Sequence, residues 1–181
     1  MNKVSRSLIT RRALVFSVAA TFACSRHKAV GYRGYCFVAN QGGRSVSAVD
    51  LTSFRLRKQI PLDAVPGLVL PHPSQPKAFV LAPETGTVYE IDAATLSVSR
   101  RARAGSEAAG MQVSPRNDAL WVLYRNPPSL VELPLASLQP GRPIRLPARP
   151  DDFDLSRDGR AAIACRDAGI VVLASLSRAS V

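Results

Sequence analysis

Hydrolysis by a nucleophile needs a general base, and histidine is the usual one. This chain of 181 residues has two histidines, His27 and His72. His27 follows an apolar run near the start of the chain, in polar sequence, and His72 stands between Pro71 and Pro73 in a turn-like stretch. Both read as surface residues. Paired carboxylates are the other route to acid–base work, and the chain has one acidic cluster, Asp151, Asp152 and Asp154. Adjacent residues of a strand point to opposite faces, so Asp152 and Asp154 are the pair that would share one. Hard oxygen ligands of this kind suit Ca or Mg, which makes Asp152 and Asp154 weak candidates for a cation site. Cys24, Cys36 and Cys165 form neither a CxxC pair nor a CxxCH haem site. Gly42-Gly43 reads as a hairpin turn rather than a phosphate loop. The expectation is a chain with no catalytic residue, no cofactor and no resident metal.

The elements that would position these residues repeat along the chain. Phe37, Phe79, Trp121 and Ile163 follow one another at 42-residue intervals. So do Val49, Ile91 and Leu133, and so do Phe54, Leu96 and Leu138. Ser114 and Ser156 keep the same step, with HPSQPK as the matching stretch of the first unit. Four short runs with period-two alternation recur in each unit, and alternation of that kind marks strands. YCFVA, KAFVLA, ALWVLY and AAIACR make one set; SVSAVDL, TVYEIDA and SLVELPL the next. FRLRKQI and LSVSRRARA, with a weak counterpart from Pro143 to Leu146, make the third, and GLVLP, GMQVSP and DFDLS the fourth. Four strands in 40–45 residues is the pattern of a propeller blade. The fold class is therefore all-β, a partial β-propeller of about three and a half four-stranded blades with a 42-residue repeat. On that pattern Trp121 is a core residue. Asp50 and Asp92, each ending a strand, are read as turn-formers with Thr52 and Thr95 rather than as metal ligands.

FVANQGGRSVSAVDLTSFRL followed by IPLDAVPGLVLPHPSQPKAFV resembles the YVTN repeat. The matching positions are Val38, Asn40, Gly42, Val49, Asp50, Thr52, Pro66 and Gly67, repeated as Gly86, Val88, Ile91, Asp92, Thr95, Gly110, Ser114 and Pro115. The third unit departs, with Pro134 where the others carry Asp, as at a degenerate or edge position. The resemblance covers about residues 35–181. It implies sequential four-stranded blades around a channel, and it takes in both lactonase-like hydrolases and surface-antigen-type propellers.

Residues 1–23 read as an address. A basic stretch with Lys3, Arg6, Arg11 and Arg12 precedes the apolar ALVFSVAA, which is too short to span a bilayer. Thr10-Arg11-Arg12-Ala13-Leu14 resembles a twin-arginine signal, and Thr21-Phe22-Ala23-Cys24 resembles a bacterial lipobox with Thr21 and Phe22 as departures. Cys24 is then the candidate for lipidation, and Ser25 after it implies no retention at the inner membrane. The domain plan is a signal over 1–23, a linker over 24–34 and the incomplete propeller over 35–181. The location expected is periplasmic, or the outer membrane through a lipid anchor. In such an oxidising compartment Cys36 and Cys165 could pair. Their places in the first and last repeats instead favour two buried free thiols.

The formal charge of +11 falls to +7 once the first 23 residues are set aside, leaving 20 basic and 13 acidic side chains. The basic residues are spread out and few aromatics stand among them, so no nucleic-acid footprint is read and a solvated surface is expected. The function expected is an exported, non-catalytic binding scaffold at the bacterial cell envelope. It would hold a protein or carbohydrate on the loops Asn40 to Arg44, Pro61 to Pro66, Pro83 to Thr87 and Glu107 to Gly110. The alternative is a fragment of a lactonase-like propeller hydrolase. The last repeat stops mid-blade, as in a truncated or split propeller. Self-association of two chains into one ring, or closure of the chain on itself as four blades, would also complete it.

Overall fold

The computed structural model describes residues 31–177, so Cys24, His27 and the address segment lie outside the described residues. β1 (Tyr35–Asn40), β2 (Ser45–Asp50) and β3 (Arg55–Pro61) form the first sheet. The second holds β4 (Leu68–Pro71), β5 (Lys77–Ala82), β6 (Thr87–Asp92) and β7 (Ser97–Arg103). β8 (Ser106–Val113), β9 (Ala119–Asn126), β10 (Pro128–Pro134) and β11 (Ile144–Arg145) form the third. The fourth is β12 (Asp152–Leu155), β13 (Arg160–Cys165) and β14 (Ile170–Ser175). Each sheet is an antiparallel meander, and the four are blades 1 to 4. Fourteen strands amount to three and a half blades, as the repeat predicts. Among the described residues, blade 1 has no counterpart of the inner strands β4 and β8, and blade 4 has no outer strand.

Three apolar clusters lie one between each pair of neighbouring blades. Val46, Ala48 and Ile60 meet Val80, Tyr89 and Ile91 between blades 1 and 2. Phe79, Leu81 and Val88 meet Leu120, Val122 and Leu133 between blades 2 and 3. Trp121, Leu123 and Leu130 meet Phe153, Ile163 and Val172 between blades 3 and 4. Burial of each large side chain contributes about 1.5–3 kcal/mol relative to exposure. The middle strands β6 and β10 are buried on both faces, whereas β14 alternates and leaves Val171 and Leu173 exposed.

The turn between the third and fourth strands of a blade is built by its sequence. Asp50 Oδ1 accepts from the backbone N–H of Thr52 at 2.7 Å and of Ser53 at 3.2 Å. Asp92 Oδ1 accepts from Ala94 and Thr95, both at 2.9 Å. In blade 3 the Pro134 carbonyl takes that part, accepting from Ser137 and Leu138. Each turn ends on a large residue in the left-handed region, Phe54 (φ 53°), Leu96 (φ 51°) and Leu138 (φ 57°). That conformation costs a side chain with a Cβ about 1–2 kcal/mol. Leu96 and Leu138 offset the cost by burying against the preceding blade, while Phe54 stays 65% exposed.

Three expectations need correction. Ile163 does not occupy the place of Trp121. The first turn of blade 4 is one residue shorter than that of blade 3, so Leu155 pairs with Ala161 where Val113 pairs with Leu120. The slip puts Ile163 in the place of Val122, facing blade 3, and leaves Ala162 opposite Leu173 where Trp121 stands opposite Glu132. Secondly, Glu107 to Gly110 is not a loop but part of β8, where a register shift and the positive φ of Glu107 mark a bulge. Thirdly, Cys36 and Cys165 are both free, but only Cys165 is buried; Cys36 is exposed, and among the described residues no blade covers the face of β1 on which it lies.

Candidate functional site

A groove of about 520 Å³ lies between blades 1 and 2. Tyr35 and Phe37, two residues apart on β1, supply one wall, with ring centroids 6.3 Å apart. Val69, Pro71 and Ala78 of blade 2 supply the other. The groove lies where blade 1 has no inner strand among the described residues. Between blades 2 and 3 the inner strands β4 and β8 meet, so Leu70 and Met111 join one cluster. Beside β1 the equivalent strand is missing, and Val69 is covered only in part. Among the described residues β2 is the one strand that pairs with β1, so its other edge has no partner there.

His72, Gln75 and Lys77 bring polar side chains to the lining of this groove. His72 is half-buried rather than a free surface residue. Its Nδ1 accepts from the backbone N–H of Ser74 at 3.2 Å and of Gln75 at 3.1 Å. A nitrogen accepting two N–H groups carries no proton, so the neutral ring holds its proton on Nε2. Burial first, then the nearby Lys77 ammonium, lowers the imidazole pKa and keeps the ring neutral. A neutral ring with Nδ1 committed offers one hydrogen-bond donor to a ligand.

Lys77 reaches Glu90, with Nζ 3.1 Å from Oε1. Glu90 is buried, and Arg100 grips it through Nε at 3.1 Å and through Nη2, while Ser99 donates at 2.7 Å. Burial alone would raise the Glu90 pKa; the hydrogen bonds from Arg100, Ser99 and Lys77 outweigh it and bring it down to about 2. Arg100 also donates to the carbonyls of Ala136 at 2.8 Å and Leu135 at 2.9 Å, in the turn of the next blade. Lys58 makes the same reach from blade 1 to the Thr95 carbonyl at 3.5 Å. This network joins blades. Reading along the sequence missed it, because Glu90, Arg100 and Lys58 have no motif; the 42-residue step from Lys58 to Arg100 was the available signal.

A second crevice, of about 240 Å³, lies between blades 3 and 4 and is more polar. Trp121, Asp118 and Glu132 line it with Arg116 and Arg157. Burial, then the nearby Asp118, raises the Glu132 pKa. Trp121 is buried, as a core residue should be.

Asp152 and Asp154 do share a face of β12, on either side of the buried Phe153. Each is exposed and accepts the N–H of its own successor, Phe153 at 2.8 Å and Leu155 at 2.9 Å. Asp151 instead accepts the N–H of Arg166 at 2.8 Å. The structure does not bring these carboxylates into one cluster, and no group of three metal-ligating side chains occurs among the described residues.

No family model matches the chain, and no curated protein matches it in sequence. Solved structures do match in shape. The chain is similar to a hydrazine synthase of Kuenenia stuttgartiensis at 17% identity and a TM-score of 0.70, over 81% of this chain and 44% of that one. It is similar to a dihydro-heme d1 dehydrogenase at 18% identity and 0.67, over 79% of this chain and 32% of the other. With the WD40 β-propeller domain of Doa1 the values are 12% and 0.64, over 84% and 51%. The chain thus spans about half the length of these structures, or less. What the likeness establishes is architecture: the four sheets of this chain are blades of a β-propeller.

Proposed function

We propose that this chain is an exported, non-catalytic β-propeller scaffold of the bacterial cell envelope, built from YVTN-type repeats, whose ligand sits in the groove between blades 1 and 2. The observation that carries the reading is the chemistry of that groove. Its walls are aromatic and aliphatic, its imidazole is neutral with Nδ1 committed, and Glu90, the carboxylate nearest its polar lining, is consumed by Arg100, Ser99 and Lys77. Pockets of this make-up bind: a large apolar surface supplies affinity and a few fixed polar groups supply orientation.

Of the two ligand classes expected, protein and carbohydrate, the groove favours protein. A strand edge without a partner among the described residues, beside an apolar trough, fits the arrangement by which sheets take up extended peptides, with main-chain hydrogen bonds for affinity and alternate side chains for specificity. The test is an array of extended peptides and an array of oligosaccharides probed with the same purified chain. Peptide capture that is lost in Phe37→Asp supports the reading. Capture of sugars alone, indifferent to Phe37→Asp, overturns it.

Export and anchoring belong to the same reading, supported by the pattern of residues 1–24. Recovery of the full chain in the envelope fraction, labelled by a palmitate analogue in the parent and not in Cys24→Ser, is the result expected. A cytoplasmic, unlabelled chain would remove the envelope from the proposal.

A further inference from the structure

Each internal junction mates two kinds of face. One blade presents a forward face, such as Trp121, Leu123 and Leu130 of blade 3. The next presents a rear face, such as Phe153, Ile163, Val172 and Ala174 of blade 4. Among the described residues, the rear face of blade 1 and the forward face of blade 4 are covered by no other blade.

The rear face of blade 1 carries exposed Cys36 and Val38 of β1, Leu56 of β3 and the turn residue Phe54. Their counterparts 42 residues on, Ala78, Val80, Val98 and Leu96, lie in or against the apolar cluster between blades 1 and 2, or are buried beside it. Phe54 is the clearest case: it holds the left-handed conformation that drives Leu96 and Leu138 into the blade before them, yet it is 65% exposed. The forward face of blade 4 carries Val171 (67% exposed) and Leu173 (65% exposed), on the side of β14 opposite the buried Val172 and Ala174. By strand register Val171 stands where blade 3 has Leu130, and Leu173 where it has Glu132. Large apolar side chains at both positions, with no cover, make a surface ready for a partner.

The two end blades also differ in charge. Residues 31–66 hold five basic side chains (Arg33, Arg44, Arg55, Arg57, Lys58) against Asp50 and Asp63. Residues 151–177 hold five acidic ones (Asp151, Asp152, Asp154, Asp158, Asp167) against Arg157, Arg160 and Arg166. Opposite fields steer blade 4 toward blade 1, whereas a contact of like ends, blade 4 on blade 4, sets acid against acid.

We infer that two copies of this chain associate head to tail, the forward face of blade 4 in one copy packing on the rear face of blade 1 in the other. The contact repeats the internal junctions in kind, so Val171 and Leu173 meet the region of Val38, Val49 and Phe54. It is heterologous, and two such contacts close a ring of eight sheets when four sheets subtend half a turn. This inference goes beyond the binding reading and does not depend on it.

The experiment is light scattering on the full 181-residue chain, against two single-face variants, Phe54→Asp and Leu173→Glu. Both sites are exposed in the single copy, and circular dichroism confirms that each variant keeps its β spectrum. The parent should show at least twice the monomer mass of 19.4 kDa, and each variant alone should fall to the monomer. Mixing the two variants should then restore a dimer, because one copy still offers an intact forward face and the other an intact rear face. As a second readout, Leu173→Cys should form an oxidised cross-link with the native Cys36 of another copy, lost in Cys36→Ser. A monomeric parent at about 50 µM, a multimer indifferent to Phe54→Asp, or variants that do not rescue each other would overturn the inference.

Discussion

The junction between blades 2 and 3 and the two outward ends of the array are made from the same repeat, and they differ in what the repeat meets. At the junction Leu133 of β10 is fully buried, and Glu90 is closed in by Arg100, which also grips the turn of blade 3. At the end, where both face water, Val171 keeps the apolar character of Leu130 and Leu173 puts an apolar side chain where the junctions have Glu90 and Glu132. An apolar surface strand is ordinarily a liability that charges or proline suppress. Its retention here shows that blade sequence is written for contact on both sides, and that position in the array decides which side is used.

The contrast is sharpest for substitutions of similar chemistry at the two places. Leu133→Ala should cost about 2–5 kcal/mol in urea unfolding, since the site cannot collapse on both sides at once. Leu173→Ala should cost under about 0.5 kcal/mol at concentrations where the chain is monomeric, as surface changes do. Equal losses at both would mean that the end face is covered within a single copy.

Acid should act on the junction before it acts on the ends. The Glu90 pKa lies near 2 in the folded chain, below its ordinary value of 4.5. A depressed carboxylate stabilises the fold above its unfolded pKa, and that contribution fades as pH falls from about 5 toward 2. Glu90→Gln should flatten this part of the stability curve while lowering stability at pH 7 by about 3 kcal/mol, the cost of leaving Arg100 without its partner. A curve of unchanged slope in Glu90→Gln would assign the acid sensitivity to other carboxylates.

Glycine in place of the left-handed residue separates the two places by sign. Leu96→Gly and Leu138→Gly relieve strain but lose burial, and should destabilise by about 2 kcal/mol. Phe54→Gly loses little burial in a single copy, since Phe54 is 65% exposed, and should stabilise the monomer by up to about 1 kcal/mol. The smallest effect expected is kinetic: Cys36 should react with a maleimide at the rate of a free thiol, and Cys165 only on unfolding. Equal rates would mean that blade 4 opens readily from blade 3.

Strand number, the grouping into blades and the structural part played by Asp50, Asp92 and Trp121 were legible along the chain. Period-two alternation and a fixed step are local signals, and the asparagine-like use of an aspartate two residues before a turn amide is equally local. What escaped were features set by neighbours in space. A one-residue contraction of a turn exchanged the two faces of β13, and Ile163 changed sides with it, although Ser156 kept the step of 42. Cys36 reads as a core thiol from its repeat position and is exposed because the blade that would cover it is missing from the described residues. That the first unit offers three strands was legible, since GLVLP, GMQVSP and DFDLS have no counterpart before β1; that an apolar groove lined by Tyr35 and Phe37 lies beside it was not.

The left-handed turn residues give the array a direction in time. Leu96 and Leu138 reach back to a blade already made, whereas Lys58 and Arg100 reach toward a turn that follows them in the chain. A ribosome adding about 5–20 residues each second completes a repeat of this size in roughly 2–8 s. During that interval the newest blade can anchor to its predecessor, while its own forward clasp waits for sequence still to be translated. A pause before the turn of blade 3 would therefore leave Arg100 and Glu90 paired within blade 2 but not yet clasped to the next blade.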